Sequence, residues 1–285
     1  MLSRIFIYIS TLLIALPVTR SGAQINLHVI EFYGIVHENG EGINGVPVTD
    51  GINIVLTDKE GNFKLLSNTF AEFIYISIPS GYNIPIDDNS PRFFHRIKDK
   101  STTKQNIDFE LRKALVDDDK HIMIVGADPQ VAFNEELPIL QTVIDDMKAL
   151  TIHDYSNSHV FGMICGDITA DIKNGPKFFS SVKQMFNNTG IPFFYVAGNH
   201  DMDITGRSNY RSKKTFEDHF GPAYYSFNRG KIHYVVLDDV FFTGKAYSYI
   251  GYLDEIQLNW LEQDLALIPG GGHNSNNPSY TYLFT

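Results

Sequence analysis

The chain has 285 residues, of which 43% are hydrophobic and 13% aromatic. That is enough for one large domain or two smaller ones with a buried core, and it excludes a disordered chain. A formal charge of −10 argues against the Lys/Arg-rich surface that a nucleic-acid backbone requires, so no nucleic-acid partner is expected, whereas small phosphorylated substrates handled through metal ions stay open.

Residues 1–23 read as a signal peptide. Arg4 precedes an apolar run, Ile5–Val18, and Ser21-Gly22-Ala23 supplies small residues for cleavage after Ala23. The run falls short of the about 20 residues of a spanning helix. No stable membrane insertion after cleavage is expected, and the mature protein is expected to be exported, periplasmic or secreted. Cys165 is the only cysteine. It allows no intrachain disulfide and no cysteine-based zinc site. Its place in the apolar run VFGMIC predicts a buried structural thiol.

From Asn26 to about Arg112 the text is strand-like. HVIEFYGIV, INIVL, FKLL and EFIYISI are short runs of β-branched and aromatic residues, broken by Asn39-Gly40, Asp50-Gly51 and Glu60-Gly61. Such spacing predicts a small antiparallel β-sandwich over residues 24–113. The phrase GINGVPVTDG…VLTDKEGNFKL resembles transthyretin-like or carboxypeptidase-regulatory-like modules of exported enzymes. In particular it resembles the N-terminal domain carried by some calcineurin-like phosphoesterases. Its carboxylates sit at turns and are expected to be solvated. Ala114–Lys120 (ALVDDDK) reads as a charged linker.

The rhythm changes over residues 119–285. HIMIVGADPQ is a strand running into a loop. Residues 135–151 carry Leu137, Leu140, Ile144, Met147 and Leu150 at helical spacing, with Asn134 as an expected cap. HVFGMICGDI is a second strand, PKFFSSVKQMFNN a helix with Phe178, Val182 and Phe186 on one face, and IPFFYVAGNHD a third strand. This alternation predicts a mixed α/β sheet covered by helices, so the fold class is α/β with a small sandwich in front.

Three successive strands end in polar residues: Asp128-Pro129-Gln130, Gly166-Asp167 and Gly198-Asn199-His200-Asp201. Chemistry in α/β sheets collects beyond the carboxyl ends of the strands. Each tip alone has a plain explanation as a helix cap. Together they suit a two-metal site, in which Asp167 touches both ions, Asp128 binds the first and Asn199 offers an amide oxygen to the second.

The set resembles the calcineurin-like metallophosphoesterase superfamily. Its signature runs Asp-x-His, Gly-Asp, then Gly-Asn-His followed by Asp or Glu, then later histidines. The resemblance spans roughly residues 119–268 and includes FGPAYYSFNRGKIHYVVLDDV. It implies Asp128, Gln130, Asp167 and Asn199 as metal ligands and His200 as the catalytic residue that contacts the phosphoryl group and serves the leaving oxygen. It implies two divalent or trivalent ions, Mn, Fe or Zn. The expected activity is hydrolysis of a phosphomonoester or phosphodiester by a metal-bound hydroxide. His233, inside a strand, is expected to be structural.

This chain departs from the signature at three places. Gln130 stands where the signature has His, as in a DPQ-type branch, and an amide binds transition metals more weakly than imidazole. Ala170 stands where an Asp often orients the catalytic His, leaving Asp171 as the candidate for that task. His273, in GGGHN, is the only late histidine and is not expected to be a ligand. The helix over 254–268, with Leu258, Leu261, Leu265 and Ile268, should lead into a core strand, yet polar text follows. The expectation is a catalytic domain incomplete at its C-terminus, with an open sheet edge. The alternatives are an inactive family member, or an exported binding protein whose sandwich recognises a glycan or surface partner.

Overall fold

The computed structural model describes residues 28–153, 158–170, 178–245, 248–268 and 280–285. The expected signal peptide, Asp171 and His273 lie outside the described residues.

The first part is a β-sandwich. Its strands are Val29–Glu38 (β1), Glu41–Gly42 (β2), Pro47–Thr49 (β3), Ile54–Leu56 (β4), Asn62–Asn68 (β5), Phe73–Ile76 (β6), Ile86–Asp87 (β7), Ser90–Pro91 (β8), Phe94–Arg96 (β9), Lys104–Asn106 (β10) and Phe109–Glu110 (β11). One sheet is built around β1, which pairs antiparallel with β2 and β5; the other runs β4-β3-β6-β9, antiparallel throughout. The strand β1 also pairs in parallel with β10 and β11, so long returns as well as hairpins close the sandwich. The strand β5 shows why it forms. Phe63, Leu65 and Ser67 point inward while Asn62, Lys64 and Leu66 point out, the two-residue alternation of a sheet with one wet face.

The second part begins with His121–Ala127 (β12), Leu137–His153 (α1), His159–Cys165 (β13), Phe179–Asn187 (α2) and Phe193–Val196 (β14). These strands lie in the order β12-β13-β14, all parallel. Both faces of β14 are covered. Phe194 and Val196 enter the core shared with the sandwich, and Phe193 and Tyr195 enter a second core with Ile144 of α1 and Val182 and Phe186 of α2. That is why FFYV reads as an unbroken apolar run. The chain continues through Asn209–Ser212 (α3), Lys214–Phe220 (α4), Tyr225–Arg229 (β15), Ile232–Val236 (β16), Val240–Phe242 (β17), Tyr249–Gly251 (β18), Glu255–Ala266 (α5) and Tyr280–Phe284 (β19).

Three expectations are corrected. The polar text after α5 does lead to a strand: β19 pairs in parallel with β16 from Tyr280 to Phe284. It lies at the sheet edge, with Tyr280, Tyr282 and Leu283 more than half exposed. The leucine stripe of α5 faces the core only in part, through the half-buried Leu261. Leu258 and Leu265 are exposed, while Gln257, Trp260 and Asp264 are buried. The reason is hydrogen bonding: Gln257 exchanges bonds with the Asp238 backbone, and Asp264 accepts from Ser226 and meets His233 at 2.8 Å. His233 is thus structural, as expected. Third, Asn134 caps nothing. It lies inside a short 3-10 turn, and Glu136 accepts the Ala132 and Phe133 N–H groups that need a partner.

The charged stretch 114–120 is pinned rather than loose. Asp118 is buried, accepts from Gly81 N–H and Ser80 Oγ, and lies 3.6 Å from the Arg229 guanidinium. The two parts share one core. Phe93 packs on Phe194 and Tyr225, Ile78 bridges to Phe227, and Gln263 of α5 bonds to Ile52 and Ile54 of the sandwich.

Candidate metal centre

The three parallel strands bring their polar tips to one end of the sheet. The loops after β12 and β13 then run side by side. Asp128 N–H donates to Gly166 O, Gln130 N–H to Asp167 O and Val131 N–H to Ile168 O. The Ala170 N–H returns to Val131 O, completing a small parallel bridge between Val131 and Thr169. The sheet is in effect extended by two residues, with Asp128, Gln130 and Asp167 held in the turn that does it. All three have positive φ, at 52°, 42° and 49°. Asp tolerates this region; Gln does so less readily, and each such residue costs on the order of 1–3 kcal/mol. The strain is offset by the bonds just named.

The third tip is tied to the second by Asp201. This residue is 3% exposed and accepts three backbone N–H groups: Ile168 at 2.9 Å, Thr169 at 3.2 Å and Gly198 at 2.9 Å. Burial raises its carboxyl to about 6, although the three N–H bonds pull it down. Asp167 reaches the same turn, its Oδ1 accepting the His200 N–H at 2.9 Å. Gly198 makes this approach possible, since a Cβ there would lie 2.2 Å from Asp167 N and 2.3 Å from Asp167 Oδ1. Only glycine fits.

Among the residues expected from the sequence, three are in direct contact. The Gln130 amide nitrogen is 3.2 Å from Asp167 Oδ2 and 3.5 Å from Asp128 Oδ1. A positively polarised NH2 group thus sits between two carboxylates, where a cation would be favoured. Turning the amide over directs its oxygen to the same place, since the two ends are interchangeable in size. His200 joins the group through its backbone; its ring has no hydrogen-bond partner among the described residues. Asn199 is half-buried on the same 3-10 turn, Asn199–Asp201. None of the tips acts as an α-helix cap. Asp128 and Gln130 are exposed and Asp167 is half-buried, so the site opens to solvent.

Two carboxylates and two amides form an oxygen-rich donor set suited to a hard or borderline ion. The residues therefore fit a metal. Among the described residues, Asp128 and Asp167 form no triple with a third His, Cys or carboxylate whose ligand atoms all lie within 4.8 Å of one another; the one such triple is Asp117–Asp119, in the pinned connection. Cys165 is half-buried, and burial followed by the charge of Asp128 raises its thiol pKa, as befits a structural thiol.

The sequence reading missed the task of Asp201, although it stood in the quoted GNHD. It also missed the ion pair of Lys213 with Asp238, 2.6 Å long and buried. The Leu-Asp text after β16 was its only signal, and the partner lies too far along the chain to infer.

Residues 30–114 match a family model described as the N terminal of calcineurin-like phosphoesterase. The match falls on the sandwich, whereas DPQ, GD and GNHD lie in the other half. Among solved structures, a dimetal phosphatase from Danio rerio is similar at 13% identity and a TM-score of 0.33, over 55% of this chain and 60% of that one. The likeness thus spans less than two thirds of that protein. No curated protein matches the chain significantly.

Proposed function

We propose that the chain is a metal-dependent phosphoesterase of the calcineurin-like superfamily, in its DPQ-type branch. The observation that carries this reading is the Gln130 amide between the Asp128 and Asp167 carboxylates, with His200 tied to Asp167. The sandwich match over residues 30–114 supports it from the other half of the chain. Asp128, Gln130, Asp167 and Asn199 would hold two divalent or trivalent ions. Such ions supply an activated water and neutralise charge on phosphoryl oxygens.

The remaining work belongs to the chain. Asp167 is fixed by its contact with His200 N–H, so its other oxygen is left to face Gln130 and the ion position. Asp201 locks the turn carrying Asn199 and His200 to the loop carrying Asp167, which keeps the ligands pre-set. The His200 imidazole, half-buried and free of hydrogen-bond partners among the described residues, can pass a proton to a leaving oxygen. The open site suits a small phosphorylated substrate, mono- or diester. In this reading the protein works outside the cytoplasm, its sandwich being a transthyretin-like module.

Metal stoichiometry tests the proposal. The purified chain is loaded with Mn²⁺, Zn²⁺ or Fe, desalted and its ions counted, with Asp167→Ala beside it. Close to two ions per chain, lost in the variant, with phosphoesterase turnover, is the expected result. Zero ions, or an Asp167→Ala variant that turns over as fast as the parent, would overturn it.

A further inference from the structure

A second site lies where the two halves meet, apart from the metal centre. A cleft of about 700 Å³ opens between the sandwich, which contributes Asp50, Phe70 and Glu72, and the α/β half, which contributes Lys213, Glu217 and Asp238. None of the proposed metal ligands lines it, and neither does His200. Its wall holds seven aromatic residues and five carboxylates against two basic residues, so it is both apolar and acidic.

Glu217, on α4, is the group that lacks an explanation. Glu217 lines the cleft as a half-buried residue, and its Oε2, shielded from water behind that lining, has no hydrogen-bond partner among the described residues. Leaving a buried carboxylate oxygen unpaired is costly, and folded chains rarely do so without a use for it. The neighbouring cations form ion pairs elsewhere, although Arg96 Nη1 makes no hydrogen bond among the described residues. Lys213 is on Asp238 at 2.6 Å; Arg96 is 2.7 Å from Asp218 and 3.5 Å from Glu72; Lys100 is on Glu72 at 2.6 Å, and Lys214 is 3.9 Å from that same carboxylate. Arg211 stands exposed at the rim, with no ion pair to Glu217. Meanwhile aromatic rings stay open to the cleft. Phe241 and Tyr252 meet edge to face at 5.3 Å, with Tyr252 47% exposed, and Phe70 is 54% exposed.

We propose that this cleft binds an organic cation, an alkylammonium group whose charge Glu217 neutralises and whose carbon surface lies against the aromatic rings. Ring faces attract cations, and more strongly when water is displaced. A bare metal ion is the poorer fit, because it requires several oxygen ligands around one point, and no such group of His, Cys or carboxylate atoms forms at Glu217 among the described residues. Burial holds the Glu217 carboxyl up at about 7; Glu72 and Asp238 push the same way, and Arg96 and Lys214 oppose them. The cation should therefore bind more tightly as pH rises through neutrality.

Titration calorimetry on the whole chain tests this, with tetramethylammonium as the probe and neutral neopentyl alcohol as a control of similar shape. The expected result is saturable one-to-one binding of the cation, at least about tenfold tighter than the alcohol. Glu217→Gln should abolish that preference, and Tyr252→Ala, at the exposed rim, should weaken binding by about threefold or more. Affinity in the parent should rise from about pH 6 to about pH 8. Thermal melts confirm that each variant is folded. Equal affinity for the alcohol, no saturation, or a Glu217→Gln variant that binds as the parent does would overturn the proposal.

Discussion

At the seam between the halves, Phe194 and Phe227 stack with ring centroids 4.1 Å apart and planes within 5°. Phe161 meets both rings edge-on, and Trp260 is fully buried nearby in the same core. Four residues along the chain from Phe194, at Gly198, packing of that kind ends. Polar groups, positive φ angles and a backbone approach that only glycine permits take its place. The seam releases free energy on folding through apolar burial. The strand tips draw on that stability to hold like-charged carboxylates together. The contrast teaches that the sandwich is part of the foundation of the α/β sheet, since Phe93, Ile78 and Tyr75 belong to the same core as Phe194.

The comparison can be broken first at the seam. Trp260→Ala should cost about 3–5 kcal/mol, the range for a large aromatic removed from a core. Denaturant unfolding should then show sandwich and α/β half failing in one transition. Two separate transitions in the parent would instead make the halves independent.

At the tips, Gly198→Ala should cost about 3 kcal/mol, at the upper end for overpacking, because the clash is with backbone. It should also weaken metal binding, read by elemental analysis. Asp167→Ala sharpens the contrast from the other side. Activity should fall at least about a hundredfold, or about 2.7 kcal/mol in barrier. Its melting temperature without metal should change little, because relief from the facing carboxylate offsets the lost His200 N–H contact. A large loss of metal-free stability would mean that Asp167 belongs to the foundation instead.

The smallest effect lies in the cleft. Glu217 is raised from an ordinary 4.5 to about 7, chiefly by burial. A carboxyl raised in the folded state keeps its proton longer there than in the unfolded chain. Its contribution is therefore most favourable below 4.5 and is lost as pH rises through about 7. Asp201, raised to about 6, slopes the same way. Glu217→Gln should match the parent in melting temperature near about pH 4 and exceed it near about pH 8. Curves that stay parallel would show Glu217 to be solvated.

Much was legible in the sequence because it rests on local pattern. Alternation in FKLL and the unbroken run FFYV announce strands with one or two covered faces. Helical spacing in α1 and α2 placed Ile144, Val182 and Phe186 in the core. Polar residues directly after three apolar strands marked the site, because parallel strands must put such tips at one end. What the local text could not carry was decided by partners distant in sequence. The burial of Gln257 and Asp264 instead of Leu258 and Leu265 on α5 follows from His233, Ser226 and the Asp238 backbone, which stand elsewhere in the chain. The return of β19 to pair with β16 lies beyond a polar segment that gives no strand signal. The positive φ values at Asp128, Gln130 and Asp167 arise only when two loops bond to each other. The sequence alone determined which residues could do chemistry, through residue type and period; the tertiary structure decided which of them touch, because contact depends on long-range pairing that no local window contains.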